Sequence, residues 1–248
     1  MREVEPRKVC SSPGSMPVGA PPTLLARLLE FRAPFEWGAL PLGWGQLRRA
    51  PRGDGRPLLL VPGFGAGPLS MRPLRSYLTW LGYDAHDWDG DRNTGDVDAD
   101  IERVGQQCAR LASALGGARI TVIGWSLGGV AAREAARLYP QAVREVITLG
   151  TPVVGGPKYT SVGRLFAAQR GVDLDELEVE AHARNSLGFR QPVTAIYSRS
   201  DGVVGWRAAI DRYNPQARNV EVSGSHVGLG ANPRVWLEIA DCLARTAQ

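Results

Sequence analysis

One strand-turn-helix segment restricts the fold of this chain more than any other feature. A β-branched run at residues 120–123 predicts a buried strand, and residues 127–139 predict a helix directly after it. Between them lies the pattern G-x-S-x-G, with Ser126 at its centre. In this setting the pattern predicts a sharp turn that exposes the serine hydroxyl, with the N–H of Leu127 aimed at the same space. The pattern alone also fits a glycine-rich turn whose serine caps the helix, so partner residues must decide between the two interpretations.

Alternating strands and helices surround this segment and predict the fold class. Further strands are predicted at residues 58–61, 83–88, 143–149, 192–197 and 219–223. Further helices are predicted at residues 69–81, 97–115, 205–213 and 235–243. Strands that are separated by helices form a parallel sheet with helices on both faces. We therefore predict an α/β fold with a mostly parallel central sheet.

A break in this alternation predicts a small helical cap. Residues 155–191 contain no convincing strand and two short helices, around residues 161–169 and 173–185. We expect the acidic residues of the second helix to face water and the apolar residues of both helices to face the site below. Such an insertion covers the carboxyl edge of the sheet, where open parallel sheets bind their ligands.

The first 50 residues are predicted to be an extension, partly disordered, to a single domain that spans residues 51–248. Residues 1–20 mix charge with Pro, Gly and Ser and are predicted to be disordered. Residues 24–31 predict a short amphipathic helix. The aromatic-rich segment that follows is expected to pack on the domain, although its composition leaves open a contact with substrate or with a membrane.

The charge distribution argues against a protein that binds nucleic acid. The net charge is +4, but the cations are two lysines and 27 arginines that are scattered through the chain. No basic run is interleaved with aromatic residues, as a phosphate-binding face would require.

The three cysteines predict neither a disulfide framework nor a metal site. Cys10, Cys108 and Cys242 are odd in number and lack C-x-x-C spacing, which is typical of a reducing compartment. The amino terminus has no continuous apolar core of the kind found in signal peptides. No stretch reaches the roughly 18 apolar residues that span a bilayer. The expected location is therefore the cytoplasm, and transient contact with lipid stays open.

Only one of the three histidines is suitably placed to activate a serine, which is a poor nucleophile until a base takes its proton. His86 lies inside a predicted strand and His182 on the predicted cap. His226 follows the last predicted strand and therefore lies at the carboxyl edge of the sheet, as Ser126 does. We predict that His226 is the base.

Asp201 is the predicted third member, which orients the histidine. It follows the strand at residues 192–197, so it lies at the same edge, and the order along the chain is Ser, Asp, His. Asp173, Asp175 and Glu176 are the competing carboxylates, but they lie on the predicted cap, where the start of a solvated helix explains them.

The turn after the first strand of the sheet is predicted to complete an oxyanion hole. There the N–H of Phe64 is the candidate donor, paired with the N–H of Leu127. A phosphate-binding loop is the rival interpretation of residues 62–67. The turn lacks a Gly-Lys-Ser/Thr ending and its glycine spacing does not fit the dinucleotide pattern.

Residues 57–246 resemble the α/β-hydrolase family, in particular its bacterial lipase and esterase branch. The resemblance rests on four segments, at residues 124–129, 148–152, 198–203 and 225–229. It implies hydrolysis of small-molecule carboxylic esters through an acyl-enzyme, no cofactor, and a cap that shapes an acyl pocket. Two residues depart from the family pattern. Pro62 stands where a histidine is common, and Val153 stands where many relatives carry a polar residue.

The apolar residues near these motifs are the candidate substrate-binding residues. We expect Trp125, Phe166 and Leu187 to contact an apolar acyl group, although core packing would explain each of them as well. Acyl transfer and thioester cleavage would use the same triad and stay open as alternatives. A further alternative is a non-catalytic binding module that keeps the fold but turns over no substrate.

Overall fold

Six parallel strands form one sheet in the computed structural model, which describes residues 19–246. The strands are β1 (Pro57–Val61), β2 (Asp84–Asp87), β3 (Ile120–Trp125), β4 (Val143–Leu149), β5 (Val193–Tyr197) and β6 (Arg218–Glu221). Their order across the sheet is β2-β1-β3-β4-β5-β6. The order changes direction between β1 and β3, and ligands of open α/β sheets bind at such a switch point.

Ten α-helices accompany the sheet within residues 19–246. They are α1 (Leu24–Leu29), α2 (Ala33–Gly38), α3 (Leu40–Leu47), α4 (Arg72–Leu81), α5 (Val97–Ala114), α6 (Leu127–Leu138), α7 (Gly163–Arg170), α8 (Leu174–Ser186), α9 (His226–Leu229) and α10 (Pro233–Arg245). Short 3₁₀ turns lie at Glu30–Arg32, Pro68–Ser70 and Gly156–Tyr159. None of the helices that the structure describes is long and apolar enough to cross a bilayer.

Alternate residues of the central strands bury their side chains on opposite faces of the sheet. Leu58 and Leu60 pack with the apolar faces of α4 and α10, whereas Leu59 and Val61 pack with α5 and α6. All five residues of β1 are buried, as expected for a parallel strand that is covered on both faces. The predicted fold class, with helices on both faces of a parallel sheet, is confirmed.

The amino-terminal helices bury small residues and expose large apolar ones, whereas an amphipathic helix would be expected to bury its apolar face. Residues 24–38 are almost continuously helical, and the small residues Ala26 and Ala33 face the body, each 5% exposed. Four large apolar residues of the predicted amphipathic helix are 64–81% exposed instead: Leu24, Leu25, Leu28 and Phe31. Phe35, which begins the aromatic-rich segment, is 81% exposed as well. The periodicity located the helix correctly but gave the wrong buried face. The disorder that we predicted for residues 1–20 falls almost entirely outside the described residues.

The connection between β4 and β5 is helical, but its second helix is not amphipathic in the predicted way. No residue of α8 is buried, and Leu187 at its end is 73% exposed. Glu178 does not face open water, because its carboxylate accepts a hydrogen bond from the Tyr159 hydroxyl (2.6 Å) and pairs with Lys158. Polar contacts therefore attach much of this helix to the body.

The helix predicted at residues 205–213 is absent, and the segment is a series of turns. The Asp211 side chain explains the difference. Its Oδ1 accepts the N–H groups of Tyr213 and Asn214, both at 3.0 Å, and its Oδ2 pairs with the buried Arg133 at 2.5 Å. Side-chain acceptors of this kind satisfy the backbone locally and compete with helix formation.

Candidate active site

Ser126 occupies the sharp turn between β3 and α6. It has φ 54° and ψ −122°, and it is the only non-glycine residue with positive φ in the described part of the chain. Two glycines make room for this turn. A Cβ on Gly124 would lie 2.5 Å from the Cα of Gly129, and a Cβ on Gly128 would collide with the Pro62 carbonyl oxygen. Backbone strain of this kind is retained where it positions a functional group.

Asp201 and His226 lie together at the carboxyl edge of the sheet. The Asp201 Oδ2 is 2.7 Å from the His226 Nδ1, and both side chains are buried. The Asp201 Oδ1 accepts the N–H groups of Val203 (2.9 Å) and Val204 (2.7 Å). Three polar contacts thus fix the carboxylate, and the carboxylate fixes the orientation of the imidazole.

From the sequence, His226 was expected in the loop after the last strand. In the structure it begins the single-turn helix α9. Ser225 caps this helix, because its hydroxyl oxygen accepts the N–H of Gly228 at 3.0 Å. Burial by itself would lower the pKa of His226, but the neighbouring carboxylates, Asp201 foremost, outweigh it and raise the pKa above the usual 6.5. The site therefore stabilises the imidazolium, the form that a serine-activating histidine adopts after it takes a proton.

The other histidines and the competing carboxylates are engaged elsewhere. His86 Nε2 lies 2.9 Å from Asp84, and His182 Nδ1 lies 2.9 Å from the Tyr213 hydroxyl. Asp173 caps α8 by accepting the N–H of Asp175 at 2.7 Å, and Asp175 pairs with Lys158 at 2.6 Å. Glu176 is exposed on the same helix.

The turn after β1 lies directly beside Ser126. A Cβ on Gly63 would lie 3.0 Å from the Ser126 Cβ, so the glycine keeps this close approach free of a tight contact. The next residue is Phe64. Neither its N–H nor that of Leu127 has an acceptor among the described residues. Two free backbone donors next to a serine hydroxyl are able to stabilise an oxyanion.

Asn93 holds this turn in place, although from the sequence it is only one residue of a polar loop. The residue is fully buried, and its Nδ2 donates to the Pro62 carbonyl oxygen at 3.1 Å. Its backbone carbonyl accepts the N–H of Gly65 at 2.7 Å, and its own N–H donates to Ala66 at 2.9 Å. These bonds lie on both sides of Phe64 and restrain the direction of its N–H.

A cavity of about 100 Å³ opens at Ser126. Its wall includes Phe64, Leu127, Val153 and Phe166, so apolar side chains line the cavity into which the serine opens. The wall also includes charged residues from the cap and from α6: Arg133, Glu134, Arg170, Glu180 and Arg184.

Two of the three predicted substrate-binding residues lie outside the cavity. Trp125 is 7% exposed and packs behind His226, with ring centroids 6.1 Å apart. Leu187 is mostly solvent-exposed and does not reach the cavity wall. Phe166 alone of the three lines the cavity, and the structure therefore gives no support to the assignments of Trp125 and Leu187. The described residues also contain no cluster of three or more His, Cys, Asp or Glu side chains that would hold a metal ion.

The comparisons with known proteins agree with this architecture. The family model described as "alpha/beta hydrolase fold" matches residues 56–226, which is more than half of the chain. No curated protein is significantly similar to the chain in sequence.

Solved structures of esterase-type enzymes share the fold at low sequence identity. The lipase BlEst2 of Bacillus licheniformis has a TM-score of 0.57 and 16% identity over 78% of this chain and 94% of its own. A lipase-esterase related protein of Clostridium acetobutylicum has a TM-score of 0.57 and 16% identity over 79% and 97%. A thioesterase domain from the curacin biosynthetic pathway has a TM-score of 0.54 and 14% identity over 79% and 93%. At these identities the likeness concerns the fold.

Proposed function

Because the chain belongs to the α/β-hydrolase family, we propose that it is a serine-dependent hydrolase of small-molecule carboxylic esters. The observation that carries the proposal is the buried Asp201–His226 pair at the same sheet edge as Ser126, which is held at positive φ. These three residues are the proposed catalytic triad.

The proposed reaction proceeds in two steps. His226 takes the proton of the Ser126 hydroxyl while the oxygen attacks the ester carbonyl, and Asp201 stabilises the imidazolium that results. The N–H groups of Phe64 and Leu127 stabilise the tetrahedral oxyanion. The intermediate then collapses, His226 protonates the leaving alcohol, and an acyl group stays on Ser126. Water, activated by His226, attacks the acyl-enzyme and releases the acid.

The size and lining of the cavity support a short apolar acyl group. A cavity of about 100 Å³ is well below the ~300 Å³ at which pockets for larger ligands begin. Phe64, Val153 and Phe166 supply its apolar wall. We therefore expect esters of short acids to be better substrates than esters of long ones.

The exposed stripe on residues 24–35 supports a second element of the proposal, transient contact with a lipid surface. Leu24, Leu28, Phe31 and Phe35 recur at steps of four, three and four, so they lie on one side of the helical segment, and each is at least 64% exposed. Arg27 lies on the same segment and has no carboxylate partner among the described residues. An exposed apolar face is one feature of helices that lie at membrane interfaces.

A cytoplasmic location also stays a proposal. Its support is that Cys108 and Cys242 are buried and unpaired within the described residues, as expected in a reducing compartment. Periplasmic and cytoplasmic fractions of a bacterial host that expresses the chain would test it directly.

A panel of nitrophenyl esters from acetate to palmitate tests the proposed function. We expect turnover that is highest for the short acyl groups and that is lost in Ser126→Ala. Matched thioesters in the same panel distinguish the thioesterase alternative, which predicts a higher kcat/KM for the sulfur esters. A folded wild-type protein that turns over none of these substrates would favour a binding module.

A further inference from the structure

Glu30 connects the amino-terminal helices to both loops that carry the proposed acid and base. Its Oε1 accepts the N–H of Gly202 at 2.7 Å and the N–H of His226 at 2.7 Å. Its Oε2 accepts the N–H of Val227 at 3.2 Å. Gly202 directly follows Asp201 in the chain. One carboxylate therefore holds the backbone beside the proposed acid and the backbone of the proposed base.

The contact is close enough to require glycine on the opposite side. A Cβ on Gly202 would lie 2.7 Å from the Glu30 Cγ and would collide with the Ala26 carbonyl oxygen. On the helical segment itself, the residues that face the body are small, namely Ala26 and Ala33. Since little apolar surface is buried there, hydrogen bonds, including the three of Glu30, hold this segment against the loops.

Glu36 provides a natural comparison within the same segment. Its carboxylate accepts the N–H of Ser225 at 3.0 Å and the Ser225 hydroxyl at 2.6 Å, one residue before His226. Its charge is paired with Arg32, at 2.6 Å. Glu30, by contrast, has no cationic partner among the described residues, so its charge acts unpaired on the loops that it contacts.

We propose that Glu30 is a positioning residue of the active site, which fixes the Asp201 and His226 loops and places a second negative charge at the backbone of His226. The proposal rests on the proposed function, because it assigns Glu30 a part in the same proton transfer. The three N–H groups that the Glu30 carboxylate accepts fix its position against the two loops. Its charge favours the imidazolium that forms when His226 takes the serine proton.

The charges around His226 come from three elements. Asp201 contacts the ring from the loop after β5, Glu30 contacts the backbone from the turn between α1 and α2, and Glu36, paired with Arg32, lies behind Ser225. Burial lowers the pKa of His226, whereas Asp201 and then Glu30 raise it. Removal of the Glu30 charge should therefore lower this pKa, and removal of the Glu36 charge should have a smaller effect because Arg32 offsets it.

The test compares Glu30→Gln with Glu36→Gln in the full chain. The chain has only three histidines, so the His226 imidazole can be titrated directly by NMR. Its signal is assigned by comparison with those of the other two histidines and with spectra of Ser126→Ala and Asp201→Asn. We expect Glu30→Gln to lower the pKa of His226, to move the acidic limb of kcat/KM to lower pH, and to reduce kcat about tenfold with little change in KM. Glu36→Gln should lower the melting temperature comparably but leave both titrations near those of the wild type.

Several outcomes separate this inference from the proposed function. If Glu30→Gln leaves the His226 titration and the pH profile unchanged, or if Glu36→Gln shifts them equally, the inference about Glu30 is wrong. If Ser126 is inert towards esters while Glu30→Gln still lowers the pKa of His226, the electrostatic inference holds and the proposed function fails.

Should Glu30→Gln not fold, Glu30→Asp replaces it. This variant keeps the charge but shortens the reach, so it should reduce kcat while the acidic limb stays near its wild-type position, and a shift as large as that of Asp201→Asn would contradict the proposal.

Discussion

The ring of Phe166, on the cap helix α7, meets the ring of Phe64, in the turn after β1, edge to face with centroids 5.8 Å apart. Gly95 lies beneath the pair, where a Cβ would be 2.9 Å from both rings. Arg170 donates to the Gly95 carbonyl oxygen at 2.8 Å and lies over the Phe166 ring at 5.7 Å. The cap and the candidate oxyanion turn therefore pack as one unit, so a substitution in the cap should alter the position of the turn and thereby the rate of reaction.

Replacement of Phe166 by Ala should change the preference among acyl groups. The side chain lines the cavity and is 5% exposed, so its removal extends the apolar space beside Ser126. We expect the ratio of kcat/KM for octanoate against acetate esters to rise about tenfold, or ~1–2 kcal/mol, the size expected for a few carbons in an apolar pocket. The neighbour Leu165 is 56% exposed and is not part of the cavity wall, so Leu165→Ala is the matched control. An equal loss on both esters, with a lower melting temperature, would mean that Phe166 is only a core residue.

Asn93→Ala should impair turnover without contact to the substrate. The substitution removes the bond to the Pro62 carbonyl and the acceptor for the Gly95 N–H, which lies 3.1 Å from the Asn93 Oδ1. Buried partners that lose their hydrogen bonds cost about 1–3 kcal/mol each, so the free energy of unfolding should fall. At temperatures where the variant stays folded, kcat should fall more than KM changes, because the Phe64 N–H is no longer held towards the oxyanion. A variant with wild-type kcat would show that the turn keeps its geometry without Asn93.

The pH dependence of turnover should follow the raised pKa of His226. The proposed base must be neutral to take the serine proton, so kcat/KM should rise with pH through a midpoint above the usual 6.5. Asp201→Asn should lower that midpoint and reduce kcat on the order of 10⁴-fold, as the wrong histidine tautomer does in serine proteases. Asp175→Asn is the control, since Asp175 pairs with Lys158 and lies away from His226. If Asp201→Asn is fully active and Asp175→Asn is inactive, the assignment of Asp201 as the third triad member is wrong.

Asp100 should make stability depend on pH independently of catalysis. Burial raises its pKa to about 6, and its Oδ2 has no hydrogen-bond partner among the described residues. The folded state therefore binds a proton more tightly than the unfolded state, so the free energy of unfolding should fall as pH rises from about 4 to above 6. Asp100→Ala should remove this dependence and stabilise the protein at pH 8 by on the order of 1–2 kcal/mol. Chemical denaturation of both proteins at pH 4.5 and pH 8 measures the free energy of unfolding. An Asp100→Ala variant that is less stable than the wild type at pH 8 would contradict the prediction.

The sequence predicted the sheet well because its signals are local and strong. The buried strands are short β-branched or leucine runs, and the positive φ of Ser126 follows from glycines on both sides of it. The pairing of Asp201 with His226 could be proposed because parallel strands bring their carboxyl ends to one edge. The chain order Ser, Asp, His then left few candidates for the carboxylate of the triad.

What the sequence did not predict depends on contacts between distant segments. Glu30 lies 196 residues from the N–H of His226 that it accepts, and Asn93 lies 31 residues from the carbonyl that it binds. Nothing in the local pattern around either residue indicates such a partner. The exposed stripe at Leu24 and Phe31 shows the same limit, because periodicity identifies an apolar face but not whether the fold covers it.

Covalent labelling by a fluorophosphonate tests the central claim, that Ser126 is a nucleophile activated by His226. The probe reacts with an activated serine hydroxyl, so the wild-type protein should carry the adduct on Ser126, as located by peptide mass spectrometry. Ser126→Ala should fold, remain unlabelled and lose ester turnover, and Asp201→Asn should label far more slowly. A folded wild-type protein that is not labelled, or a Ser126→Ala variant with normal turnover, would contradict the account.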